Sequence, residues 1–205
     1  INILSELLDQ EMFSQYISKN ATPRKVYLEK LSAGDWTKKA VKKLFTSSGG
    51  FHDEEEDSIP ALITDEAHRL NAKSGMYSNK GENQIKEIIN TGKFSIFFID
   101  ESQRVHIDDI GSKQEIRKHA SQMDAEIIEA ELKSQFRCQG SQGYIAWLDD
   151  VLEIRDTANT TGFDLEYDLK IFDTPEEMHQ AIREEESENG ISRVVAGYCW
   201  SWDTD

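Results

Sequence analysis

Two stretches of the sequence decide the fold, IPALITDE at residues 59–66 and FSIFFIDE at residues 94–101. Each is a continuous apolar run that ends in an Asp-Glu pair. Runs of this kind are typical of strands buried on both faces of a parallel sheet. Helical and strand patterns alternate along the rest of the chain, and that order produces parallel α/β sheets. The sequence therefore predicts an α/β fold.

Apolar periodicity predicts the other elements. Further strands are expected at residues 13–17, 126–132, 169–172 and 194–198. Helices are expected around residues 3–8, from Pro23 onward, and at 36–45, 110–123, 143–152 and 175–186. We place a boundary near Ser134, so that residues 1–133 form a first lobe and residues 134–205 begin a second one.

The composition is that of a soluble globular protein, with 30% charged and 38% hydrophobic residues among 205. No apolar run is long enough to span a membrane. The two cysteines, Cys138 and Cys199, lie far apart without metal-ligand spacing. We therefore expect two free thiols and a cytoplasmic location, where thiols stay reduced.

The net charge is −16, from 39 acidic and 23 basic residues. Such a surface repels phosphate backbones, so it argues against tight non-specific binding of nucleic acid. Any contact with nucleic acid must then depend on local basic residues such as Lys19, Arg24 and Lys25. The acidic runs at residues 53–57 and 184–188 are expected to be solvated surface.

The two acid pairs, Asp65-Glu66 and Asp100-Glu101, follow neighbouring predicted strands. Ligands of open parallel sheets bind beyond the carboxyl ends of the strands, so both pairs would open onto one crevice. One carboxylate there can hold Mg²⁺ through water while its neighbour orients or deprotonates an attacking water. Strands that exit to solvent also carry acids without any function, and the pairs alone do not decide between these interpretations.

Four segments occur in the order of superfamily 1 helicase motifs. The segment DEAHRL at residues 65–70 resembles Walker B, and FFIDESQR at 97–104 resembles motif III, whose glutamine reads the γ-phosphate. The segment LKSQFRC at 132–138 resembles motif IV, whose arginine reaches the same phosphate from the second lobe. Upstream, YISKNATP at 16–23 resembles motif Ia, which touches single-stranded nucleic acid. The order and spacing make the combination more specific than each motif alone.

A closer resemblance joins residues 65–70 to GENQI at 81–85, SQFRC at 134–138, GYIAWL at 143–148 and GYCWSW at 197–202. Together they resemble the bacterial family described as Schlafen-group-3-like DNA/RNA helicase domains, over essentially the whole chain. In that family a P-loop precedes the helix that begins here, and motifs V and VI follow the last residue. No Gly-x-x-x-x-Gly-Lys-Ser/Thr occurs in this sequence. We expect an excised piece of a longer protein; the alternative is a natural, degenerate relative.

The resemblance implies a RecA-like P-loop NTPase sheet with part of a second RecA-like lobe. It implies an enzyme that hydrolyses ATP or GTP with Mg²⁺ and acts on DNA or RNA, whereas this chain alone is expected to be inactive and to bind little or no nucleotide. The implied roles are Mg²⁺ binding through water by Asp65, activation of water by Glu66, γ-phosphate sensing by Gln103, charge stabilisation by Arg137, and contact with nucleic acid by Ser18, Asn20, Pro23 and His68. For His68 the alternative is capping of a loop. The alternative function, favoured by the acidic charge, is a nucleotide-dependent switch or protein-interaction module without unwinding activity.

Overall fold

The structure is a computed structural model that describes residues 1–34, 36–75, 79–104, 106–132, 142–157 and 170–194. The chain divides into two compact units, Ile1–Ala130 and Glu131–Asp205. The predicted boundary near Ser134 stays a prediction. Within the first unit the helices are α1 (Asn2–Asp9), α2 (Ala21–Ser32), α3 (Lys38–Leu44), α4 (Gln84–Thr91) and α5 (Lys113–Gln122), and the strands are β1 (Ser14–Ser18), β2 (Phe45–Thr46), β3 (Ile59–Asp65) and β4 (Gly92–Phe97). The described part of the second unit contains α6 (Gln142–Val151) and α7 (Pro175–Asn189).

The four strands form one parallel sheet in the order β2-β1-β3-β4. Successive side chains of a strand point to opposite faces, so each strand contributes to two cores. Ile17 and Leu62 pack on one face with Ile85 and Ile88 of α4. The other face is covered by α1 and α3, whose apolar residues pack against Tyr16 and Ile63. An α/β fold with a parallel sheet flanked by helices is confirmed.

The strand β3 is buried along most of its length, as its continuous apolar run predicts. The neighbouring run was also predicted to be buried on both faces, and this is wrong. Among the described residues β4 is an edge strand, with β3 as its one partner, and Phe94 keeps 53% of its surface exposed. The strand also begins and ends two residues earlier than predicted, at Gly92 and Phe97.

The strand predicted at residues 126–132 is absent, because this segment pairs with no strand and lies exposed. Its apolar residues Ile128 and Leu132 are 80% and 82% exposed, while Glu129 is paired with Arg117 of α5. Residues 170–172 form no strand either. The remaining predicted strand, 194–198, lies outside the described residues except for Val194. The acidic loop at residues 53–57 is exposed, as predicted.

Candidate functional site

The register of the sheet brings three loops together at its carboxyl edge. Ser18 at the end of β1 lies opposite Asp65 at the end of β3. Pairing between β3 and β4 continues beyond β4, because the amide of Phe98 donates to the carbonyl of Thr64 at 2.8 Å. The amide of Ala67 then donates to the carbonyl of Phe98, also at 2.8 Å. The segments that follow β1, β3 and β4 are therefore neighbours in space.

Both carboxylate oxygens of Asp65 accept hydrogen bonds from the protein. The hydroxyl of Tyr16 donates to Oδ2, and the amide of Glu66 donates to Oδ1 at 3.0 Å. Burial, followed by the bond to Asp65, raises the pKa of Tyr16 well above its usual range. Tyr16 therefore remains a protonated donor at any physiological pH, and it holds the Asp65 side chain in one orientation.

Glu66 occupies the left-handed backbone region, with φ 51° and ψ 46°. This region is uncommon for residues other than glycine and is often found at functional sites. A 3-10 turn, Ala67–Arg69, follows at once. The side-chain amide of Asn20 donates to Oε2 of Glu66, and the Asn20 oxygen accepts from Nη1 of Arg69 at 2.8 Å.

His68 is buried, with 3% of its surface exposed. Its Nδ1 accepts the backbone amide of Asp100 at 3.4 Å, which joins the Walker B-like segment to the motif III-like segment. This contact corresponds to the predicted alternative in which His68 caps a loop. A contact with nucleic acid stays a prediction, and it would require the ring to become exposed.

Gln103 lies exposed in the short turn Glu101–Gln103, and its Nε2 donates to Oδ2 of Asp100 at 2.8 Å. The hydroxyl and amide of Ser102 donate to Oδ1 of Asp100 at 2.5 and 3.1 Å. The hydroxyl of Ser102 is the largest cause that lowers the pKa of Asp100. The turn therefore presents the Gln103 side chain beside a carboxylate that is ionised at neutral pH.

The predicted site residues differ in exposure. Ser18 is buried at 1% exposure, whereas Asn20 and Pro23 are half-buried in the loop and first turn of α2. Arg137 lies outside the described residues, as do both cysteines. Asp65, Glu66, Asn20 and His68 are grouped at the carboxyl edge of the sheet by the contacts above. Gln103 joins them through Asp100.

An ion pair that the sequence analysis missed links two of these loops. Nζ of Lys19 lies 3.2 Å from Oδ1 of Asp109, whose side chain is completely buried, and 2.6 Å from Oδ1 of Asn71. Asn71 and Asp109 also form an isolated antiparallel bridge. Because Lys19 and Asp109 are 90 residues apart in the chain, no local pattern could have indicated the pair.

The segment GENQI, one of the motifs of the family resemblance, has a structural role here. Gly81 has φ +70°, and a Cβ there would lie 2.1 Å from Oε1 of Glu87. Asn83 caps α4 by accepting the amide of Ile85 at 2.9 Å. Gln84 accepts the amide of Asn71 at 3.0 Å. The motif therefore anchors α4 to the loop that follows Leu70.

Basic residues are concentrated in the segment that contains α2 and α3. Residues 19–43 contain eight basic and two acidic residues in a chain whose net charge is −16. A cavity of about 210 Å³ has Arg24, Lys25 and Lys42 in its lining. Burial lowers the pKa of Arg24, which donates to the backbone carbonyls of Ser18 and Asn20. The acidic protein therefore has a local basic surface next to Asn20.

The fold and this edge define a class, an α/β protein with a RecA-like parallel sheet that carries carboxylates where such sheets bind ligands. The profile of the family described as Schlafen group 3, DNA/RNA helicase domain, matches residues 1–205. The chain belongs to this family. No curated protein and no solved structure matches the chain at a significant level.

Two further observations concern metals and membranes. Among the described residues, no group of three or more histidine, cysteine, aspartate or glutamate side chains is arranged to hold a metal ion. Within the same part of the chain, no helix combines the length and apolar character needed to cross a bilayer.

Proposed function

We propose that this chain is part of a magnesium-dependent ATP or GTP hydrolase of the superfamily 1 helicase type that acts on DNA or RNA. The observation that carries the proposal is the geometry of Asp65 and Glu66 at the carboxyl edge of the sheet. Adjacent in sequence, they have different surroundings, since Asp65 is held by Tyr16 and Glu66 by Asn20. Two carboxylates with different surroundings are suited to different roles.

The surroundings of Asp65 fit a Mg²⁺ ion held through water. A carboxylate offers about four lone-pair sites. The bonds from Tyr16 and from the Glu66 amide use one site on each oxygen, so further sites can accept bonds from metal-bound water. Bound Mg²⁺ would neutralise charge on the phosphates. A single carboxylate of this kind is compatible with the absence of a larger ligand cluster among the described residues.

In the proposed reaction Glu66 orients the attacking water and accepts its proton. We assign the sensing of the γ-phosphate to Gln103 through its likeness to the motif III glutamine, and its position on the exposed turn beside Asp100 supports this assignment. Arg137 is assigned the stabilisation of charge on the same phosphate, through its likeness to the motif IV arginine. The basic surface around Arg24, Lys25 and Lys42 supports a phosphate backbone as the partner, because cations there would release counterions from the nucleic acid.

The test replaces Glu66 by glutamine in the longer, P-loop-containing protein to which we assign this chain. Glu66→Gln should lower kcat for ATP about a hundredfold, because an amide cannot take a proton from water. Nucleotide affinity should change little. Glu129→Gln is the matched control, since it makes the same chemical change at an exposed carboxylate paired with Arg117. Equal kcat in the wild type and Glu66→Gln would contradict the proposal.

The same preparations distinguish the two function classes. Stimulation of hydrolysis by single-stranded DNA or RNA supports the helicase type. A rate of hydrolysis that does not change when nucleic acid is added would support the nucleotide-dependent switch, which the net charge of −16 favours.

A further inference from the structure

The side chain of Asn20 lies between two charged groups of the loop after β3. Its Nδ2 donates to Oε2 of Glu66, and its Oδ1 accepts from Nη1 of Arg69 at 2.8 Å. A neutral amide thus separates a carboxylate from a guanidinium. Without Asn20, Arg69 and Glu66 would be free to form a direct ion pair. A hydrogen bond between two charged groups is stronger than the bond that either group makes with a neutral amide.

Helix capping does not explain this asparagine. Asn20 is the N-cap residue of α2, a position where asparagine is favoured because its oxygen accepts an amide of the first turn. No such bond is formed by Asn20, and the third helical residue, Pro23, has no amide hydrogen to donate. In contrast, Asn83 at the start of α4 accepts the amides of Ile85 and Lys86. The Asn20 side chain therefore makes its hydrogen bonds with Glu66 and Arg69 instead of capping the helix.

The backbone that carries Asn20 is held independently. Arg24 donates to the carbonyls of Ser18 and Asn20, the latter at 3.0 Å. Lys19, the preceding residue, is paired with the buried Asp109. Because the backbone is held on both sides, the amide of Asn20 reaches Glu66 from a fixed position, as a supporting residue must.

We propose that Asn20 is a positioning residue for Glu66, an inference that rests on the proposed hydrolase function. Its amide nitrogen holds the Glu66 carboxylate in the orientation used to activate water. Its amide oxygen accepts a hydrogen bond from Arg69 and so prevents Arg69 from forming an ion pair with Glu66. Asn20 directly precedes α2, which carries part of the basic surface. In this proposal the segment 16–23, which resembles the nucleic-acid contact motif Ia, also takes part in hydrolysis through Asn20.

The test compares Asn20→Asp with the wild type in the longer P-loop-containing protein. Aspartate has the size of asparagine and is an equally good N-cap, so the fold is retained. It cannot donate to Glu66, and its charge would repel that carboxylate and attract Arg69. We expect kcat for ATP to fall about ten- to a hundredfold, as for other supporting residues, with KM changed less than about threefold. Asn20→Ala should lower kcat in the same direction.

A double variant separates this role from a merely structural one. If Asn20 acts through Glu66, Asn20→Asp should cause no further loss of residual turnover in a Glu66→Gln background, because residues that act as a unit are non-additive. A structural role would lower turnover equally in both backgrounds. Asn83→Ala is the control, since it removes a true helix cap and should lower the thermal midpoint without lowering kcat.

The outcomes bear on the two proposals separately. Full kcat in Asn20→Asp and Asn20→Ala, together with the expected loss of kcat in Glu66→Gln, overturns the role of Asn20 and leaves the proposed function standing. The positioning role of Asn20 is also overturned if Asn20→Asp lowers kcat by the same factor in the wild-type and Glu66→Gln backgrounds. If Glu66→Gln itself hydrolyses ATP normally, the proposed function fails and the positioning role fails with it.

Discussion

Gly111 contacts the backbone that follows Glu66, and the structure sets the size of the effect of Gly111→Ala. A Cβ at this position would lie 1.9 Å from the carbonyl oxygen of Ala67 and 2.6 Å from Cα of His68. Ordinary contact begins at 3.4 Å, so the two segments must separate by about 1.5 Å. The obstacle is backbone and not a flexible side chain. We therefore expect a cost of about 3 kcal/mol, at the upper end of typical overpacking.

This cost converts to a measurable change in the thermal midpoint. The entropy of unfolding is about 2.1 cal/mol/K per residue, which is about 0.27 kcal/mol/K for a unit spanning Ile1–Ala130. A loss of about 3 kcal/mol then lowers the midpoint by about 11 °C. Scanning calorimetry of the chain measures it. Gly50→Ala is the control, because nothing lies within 4 Å of a Cβ there. Equal midpoints for Gly111→Ala and the control would refute the steric reasoning.

Two further predictions concern charges near the site. Lys19→Met leaves the buried carboxylate of Asp109 without its cation and should cost about 3 kcal/mol in urea denaturation, whereas adding Asp109→Asn should restore most of the loss. The hydroxyl of Ser102 and the amide of Gln103 donate to Asp100 and hold its pKa below the usual 3.8. These hydrogen bonds therefore stabilise the folded protein fully above pH 3.8, and the stabilisation is lost as the pH falls through the lowered pKa. The side-chain amide resonances of Gln103 should therefore stay constant from neutral pH to about 4 and shift only below it; a shift between about pH 5 and 6 would contradict the assignment.

Local patterns predicted the elements that build the sheet edge. The apolar run at residues 59–64 predicted β3, because strands buried on both faces are built from nearly continuous apolar side chains. The short stretch at 13–17, with its apolar Phe13, Tyr16 and Ile17, predicted β1. Asp65 at the end of β3 and Glu66 after it were placed at the carboxyl edge by the parallel arrangement alone. The same reasoning failed at residues 126–132, since Ile128 and Leu132 are apolar but pair with no neighbouring strand.

The partners of the site residues could not be predicted in the same way. A contact of Asn20 with nucleic acid stays a prediction, but no pattern indicated that its side chain donates to Glu66, 46 positions away in the chain. Tyr16 belongs to the segment that resembles motif Ia, and that resemblance did not indicate that its hydroxyl donates to Asp65. Neither bond has a signature in local periodicity, because each depends on the register between β1 and β3.

The sequence by itself determined the strands β1 and β3, and it determined that carboxylates end the central strand. These properties depend on side chains a few positions apart, so a linear pattern contains them. The tertiary structure alone decided that Asn20 separates Glu66 from Arg69 and that Gly111 lies against the backbone of Ala67. Contacts of this kind join distant parts of the chain, and their distances are set by strand register and backbone conformation rather than by residue type.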